Sequence, residues 1–394
     1  MTRALDGLIV LDLSRYVAGP YCAQMLGDFG ADVIKIEKPD GGDPMRGVGA
    51  TTGEDKLYML MYNRNKRSLT LNLRDPRGRE ILADLIKGAD VLVENFRPGT
   101  MEAMGFGWDQ VSALNPRLVM ARISGFGQDG PWAKRPAFDA IAQAEGGLMQ
   151  LTGVADGPPT MMGAVMIDYS TGTNAALGVL AALHAREKTG KGQVVDVPLL
   201  DTAMSFLMTA VAEYHQDGTV MGRMGNRDRY SAPTNTYATG DGKHLHLMSA
   251  GQKHFEALIA IFGEQDILAD PRFATAADRF ANSDLVDETV ADWFLRHDEA
   301  WLYDRLVASE IPCARLATVA DLVENPQVKH RGQIIAVDHP HHGSVHLQGN
   351  PIRLTETPVE TFRAVPTLGQ HSDEILAAFM DPAAIAALRE DGVI

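Results

Sequence analysis

Short apolar runs alternate with stretches of helical length through the first third of the chain. Residues 8–13, 31–37, 90–94 and 118–124 read as strands, and residues 21–29 and 76–87 as helices between them. A strand that returns parallel to its predecessor needs a crossover, usually a helix, so this alternation implies βαβ units and a mainly parallel sheet. Ligands of such sheets bind in the loops at the carboxyl ends of the strands.

Beyond the first third, residues 171–188 form a long Ala-rich helical stretch, followed by a strand over 194–199 and a helix over 200–215. Residues 217–237 turn to Gly, Arg, Asn and Pro, the composition of a crossing linker. A strand over 243–250 and amphipathic helices over 252–305 then suggest a smaller α+β lobe. Segments 333–337 and 343–347 suggest a hairpin around Pro340 and Gly343. The expected organisation is a Rossmann-like α/β lobe over 1–215, a linker over 216–240, the small lobe over 241–311, and a C-terminal return over 312–394.

Charge and cysteine usage narrow the function. A net charge of −15 disfavours nucleic acid and anionic membrane as partners, so an anionic ligand must be held by local basic clusters. Cys22 and Cys313 are far apart and lack metal-ligand spacing, which sets a reducing cytoplasm as the default location. His339, His341, His342 and His346 match no common ligand pattern and read as a solvated hairpin tip, so no metal is expected. The apolar run near the start is interrupted by Asp12 and reads as a strand rather than a leader. No apolar stretch reaches the 18 residues or so that suggest a membrane span. Gly125-Phe126-Gly127-Gln128-Asp129-Gly130 has the glycine spacing of a dinucleotide fingerprint, but Pro131 and Pro136 deny it the helix that would bind a pyrophosphate.

One carboxylate stands out. Residues 163–167 read as a short buried strand, which places Asp168 at a strand-to-helix junction where the first helical amides point outward. By position alone, Asp168 reads as an ordinary N-cap that does no chemistry.

Four segments occur in a specific order: Gly7-Leu8-Ile9-Val10-Leu11-Asp12-Leu13-Ser14 running into Ala18-Gly19-Pro20; Gly30-Ala31-Asp32-Val33-Ile34-Lys35-Ile36-Glu37; Glu94-Asn95-Phe96-Arg97-Pro98-Gly99; and Asp168-Tyr169-Ser170-Thr171-Gly172. Their order and spacing resemble the class III CoA-transferases, the formyl-CoA transferase family that also contains α-methylacyl-CoA racemases. The resemblance implies Asp168 as the catalytic nucleophile and a CoA site lined by Val17, Ala18, Lys38, Leu71, Arg74, Asn95, Phe96, Arg97 and Phe138. It also implies a substrate-covering loop at Ala250, Gly251 and Gln252, with fewer glycines than formyl-CoA transferase carries. Coenzyme A is then a substrate, with no permanently bound cofactor, and two ring-like chains are expected to interlock as a homodimer. The Arg64-Asn65-Lys66-Arg67 run supplies further candidate phosphate ligands. Where racemases carry a Gly-His-Asp motif this chain has Ala137-Phe138-Asp139, and Phe exchanges no proton, so transfer is favoured over racemisation. A racemase or epimerase, or a silent CoA-binding subunit, are the alternatives.

Overall fold

A computed structural model describes residues 3–394 except 53, 54, 250, 340 and 342. Ala250 of the expected loop, and Pro340 and His342 of the hairpin tip, lie outside the described residues. The chain divides into two compact units, one of Met1–Leu148, Met161–Thr209 and Gln327–Ile394, the other of Met149–Thr160 and Ala210–Pro326.

The first unit is built on a six-stranded parallel sheet. Its elements are β1 (Ile9–Asp12), α1 (Ala18–Asp28), β2 (Asp32–Glu37), β3 (Lys66–Thr70), α2 (Pro76–Gly88), β4 (Val91–Glu94), β5 (Val119–Ser124), α3 (Asp139–Glu145), α4 (Met166–Thr189) and β6 (Val194–Pro198). The spatial order is β3-β2-β1-β4-β5-β6, so the winding reverses between β1 and β4 and opens a crevice at their carboxyl ends. The central strands are apolar on both faces because both are covered. Leu11, Ile34, Leu92 and Met120 point to the side of α2 and the C-terminal helix Pro382–Glu390, while Val10, Val33, Val93 and Ala121 point to α1 and α4. Hairpin strands Ile334–His339 and Gly343–Gln348 also belong to this unit.

The second unit holds a three-stranded antiparallel sheet of Cys313–Arg315, His244–Met248 and Thr234–Ala238, with helices Gln252–Phe262, Ser283–Leu295 and Glu299–Ala308. Two segments differ from the expected boundaries for this reason. Residues 234–238, read as linker, pair with His244–Met248, and residues 313–315, read as the return, pair with its other edge. Two further expectations are corrected. Residues 163–167 form no strand, because Met166 already opens α4. The helix expected over 200–215 is two helices, Leu199–Met204 and Ala210–Asp217, separated by a turn in which Met208 takes a positive φ of 50°. Among the described residues, no helix is long and apolar enough to cross a membrane.

Helices α1 and α4 approach closely at Gly172. A Cβ there would lie 2.6 Å from the Ala18 carbonyl oxygen and 3.1 Å from the Tyr21 ring. Four residues upstream on α4, the contact fixes where Asp168 stands. Gly172→Ala is therefore expected to destabilise the protein by about 1–3 kcal/mol in urea unfolding, by overpacking against backbone. A gain of about 0.5–1 kcal/mol, the usual helix-interior result, would contradict this close approach.

Candidate active site

The loops at the carboxyl ends of β1 to β5 surround a cavity of about 970 Å³. Val17, Ala18, Lys38, Leu71, Arg74, Asn95, Phe96, Arg97, Phe138 and Asp168 all line it. Gly251 and Gln252 belong to the second unit. There Gly251 is the N-cap of helix Gln252–Phe262 at an ordinary φ of −78°, and Gln252 accepts from the buried Arg279.

Asp168 is the third residue of α4, in its first turn. What starts the helix is a carboxylate from another element. Oδ2 of Asp139, at the start of α3, accepts the amides of Ile167 at 2.7 Å and Asp168 at 3.1 Å. Two of the four amides a helix N-terminus leaves unpaired are thereby satisfied from outside, which is why an apolar run becomes a helix start. Asp139 is itself held by Gln143, whose Nε2 donates to Asp139 Oδ1 and whose Oε1 accepts the Met162 amide. Asp139 and Gln143 are buried. Tyr169 anchors the other side of the turn, packing edge-on against Tyr21 and Tyr62 and sharing a 3.0 Å hydroxyl contact with Tyr62.

The Asp168 carboxylate itself has no hydrogen bond or ion pair to the described residues. Burial, and secondarily the nearby Asp139 charge, push it up to about 7. An exposed N-terminal carboxylate ordinarily moves the other way, so desolvation outweighs the helix dipole here.

Positive charge gathers around the same cavity. Arg15, Lys38, Arg74 and Arg97 line it, and none of them makes an ion pair with the described residues. Arg15 lies over the Phe96 ring at 4.9 Å, and its backbone is gripped by Asn95, which accepts from Arg15 N and donates to Arg15 O. Most other arginines are paired, so an unpaired group of cations in an acidic chain marks a surface suited to an anionic ligand. Arg135 also lines the cavity but pairs with Glu145 and stacks on Trp132 and Phe126.

The Arg64-Asn65-Lys66-Arg67 run is corrected as a source of phosphate ligands. Arg64 pairs with Asp28, Lys66 with Asp12 and Arg67 with Asp32, and none of them lines the cavity. Sequence reasoning missed Arg15, Tyr16 and the bridging role of Asp139. The available signal was an acidic residue opening α3, but its partner amides are 28 and 29 positions away. Among the described residues no histidine lines the cavity, and Phe138 stands where the racemase motif would place one.

The model of CoA-transferase family III matches residues 5–372. Succinyl-CoA–D-citramalate CoA-transferase of Chloroflexus aurantiacus is 38% identical, covering 95% of this chain and 93% of that protein. Acetyl-CoA:oxalate CoA-transferase of Acetobacter aceti is 38% identical over 89% of each chain. The solved structure of a CaiB/BaiF family protein from Brucella suis superposes with a TM-score of 0.85 at 33% identity, covering 96% of this chain and 100% of that one. With a match of this extent over the fold that carries the Asp168 cavity, the chain belongs to CoA-transferase family III.

Proposed function

We propose that this protein moves coenzyme A from an acyl-CoA to a small carboxylic acid, dicarboxylic acids included, through an aspartyl-CoA thioester on Asp168. The observation that carries the reading is one cavity with unpaired cations on its rim and an unpaired, desolvated carboxylate in its wall. Relatives named for transfer to citramalate and oxalate support the same class of acceptor.

The chemistry follows from the carboxylate. Asp168 attacks the thioester carbonyl, and the C–S bond breaks to leave a mixed anhydride and CoA thiolate. The thiolate attacks the Asp168 carbonyl of the anhydride, expelling the donor acid and forming the aspartyl-CoA thioester. An acceptor carboxylate then attacks this thioester, and the released thiolate takes the new acyl group, regenerating Asp168. Each step exchanges one acyl oxygen or sulfur nucleophile for another, so no proton is gained or lost. Desolvation serves the first step, since a carboxylate without hydrogen-bond donors gives up less on attack than a hydrated one. Arg15, Lys38, Arg74 and Arg97 would hold the phosphates of CoA, with Arg offering bidentate geometry and Lys a point charge. The protein is further proposed to act as a cytoplasmic homodimer. Exposed apolar side chains such as Leu177, Phe206 and Val319 support association, which light scattering of the purified chain tests.

Asp168→Ala is expected to abolish transfer from acyl-CoA to a panel of acids, read by mass spectrometry of the CoA thioesters, while CoA binding stays within about threefold of wild type. Wild-type-like transfer by this variant would remove Asp168 from the mechanism. Because the attacking group must be ionised, kcat/KM should fall as pH drops below about 7. A profile flat down to pH ~5 would contradict a nucleophile of that pKa. The same shift has a stability signature. A carboxyl whose folded value lies above its unfolded value favours the folded state at low pH and penalises it as pH rises through about 7. Asp168→Asn should therefore be more stable than wild type at pH ~8, with the advantage shrinking toward pH ~5. An equal urea midpoint for the two proteins at both pH values would contradict it.

A further inference from the structure

Tyr16 is the one bulky aromatic residue at positive φ (65°) among the described residues, a conformation that side chains of its size rarely adopt. It is held there by buried groups on either side. Asp43 Oδ1 accepts the Tyr16 amide, Lys35 Nζ donates to the Ser14 carbonyl, and Asn95 brackets Arg15 between them. Asp43 and Lys35 are buried and paired with each other at 3.0 Å. The segment therefore cannot relax by a simple swing of the loop. Backbone strain that is enforced by its surroundings clusters at functional sites.

The strain aims the ring. Tyr16 meets Phe138 edge to face, with centroids 5.3 Å apart and planes at 81°. Phe138 is 58% exposed and sits at the N-cap of α3, next to the Asp139 that grips the Asp168 amide. Both rings line the cavity together with Asp168. Across the sheet, Tyr16 follows β1, whereas Arg74 and Lys38 follow β3 and β2 on one side and Phe138 lies beyond β5 on the other. Phe138 thus stands at the Asp168 side of the cavity, and Tyr16 reaches it from the loop after β1.

We propose that Tyr16 and Phe138 form a fixed aromatic wall beside Asp168 that selects linear acyl groups over those branched at the carbon next to the carbonyl. The inference rests on Asp168 being the acyl-accepting carboxylate and adds the substrate class that its surroundings admit. Because the Tyr16 backbone is held by Asp43 and by the bracketed Arg15, an added methyl has to displace the Tyr16 ring against Phe138, so the wall discriminates by bulk. Small differences of this kind in a packed pocket are worth about tenfold or more in affinity.

The test uses two unreactive thioethers of equal carbon count, S-butyl-CoA and S-isobutyl-CoA, the second branched where an α-branched acyl group branches. Calorimetric titration of the wild-type protein should show the linear compound binding about tenfold more tightly. Tyr16→Asn, whose side chain suits the left-handed backbone, and Phe138→Ala should each bring the ratio to within about twofold. The double variant should lose no more selectivity than either single one, because the wall is already broken. Tyr16→Phe should keep the wild-type ratio, since the ring and not the hydroxyl forms the wall. Wild-type protein that binds both thioethers equally, or ring-deleted variants that keep the tenfold preference, would overturn the wall and leave the CoA-transferase reading standing. Absence of binding of CoA itself would instead overturn that reading, and the wall with it.

Discussion

The pair of hydrogen bonds from the Ile167 and Asp168 amides to Asp139 decides most of what is distinctive about this molecule. It turns an apolar run into the start of a 24-residue helix, and it fixes the backbone of the unpaired, desolvated carboxylate of Asp168 in the cavity wall. It also places a second buried negative charge close by, which adds to desolvation in lifting Asp168 toward neutrality. Capping and tuning are thus one interaction. An Asn at 139 would keep an acceptor for the amides but lose the charge, so the two effects are separable in principle.

Charge is sorted with the same economy elsewhere in the first unit. Asp12, Lys35, Asp43 and Lys66 form a buried network that reaches the cavity at Asp43, with Lys66 donating to Asp12, Pro20 O and Asn63. Burial drags Lys66 down to about 8, while for Asp12 the two lysines outweigh burial and hold its carboxyl below the ordinary range. Buried pairs of this kind contribute little net stability against an apolar alternative. Their visible effect is positional, since Lys35 and Asp43 hold the Ser14 and Tyr16 backbone. Cations inside the sheet are consumed by structure, while Arg15, Lys38, Arg74 and Arg97 on the cavity rim make no ion pair with the described residues.

The sheet was legible in the sequence because its central strands are apolar on both faces and bounded by turn residues, so Val10 with Leu11 and Val33 with Ile34 leave little choice of element. The cavity residues followed from family motifs whose members sit in loops after those strands. What stayed hidden depended on partners far away in the chain. Residues 163–167 looked like a strand because Asp139, which holds the Ile167 amide in the first turn of α4, is 28 positions away. Arg64 and Arg67 looked available for phosphate because Asp28 and Asp32, which neutralise them, lie on other elements. Tyr16 carried no signal, since a positive φ enforced by Asp43 and Asn95 is a property of the folded loop and not of the tyrosine.

The account stands or falls on whether Asp168 becomes acylated. Intact-protein mass spectrometry after incubation with an acyl-CoA and hydroxylamine tests this directly, because hydroxylamine converts an activated aspartyl group into a stable hydroxamate. The account predicts one hydroxamate per wild-type chain, mapped to the peptide containing Asp168 and missing from Asp168→Ala. Modification at another residue, or an unmodified wild-type chain that nonetheless transfers CoA, would contradict it.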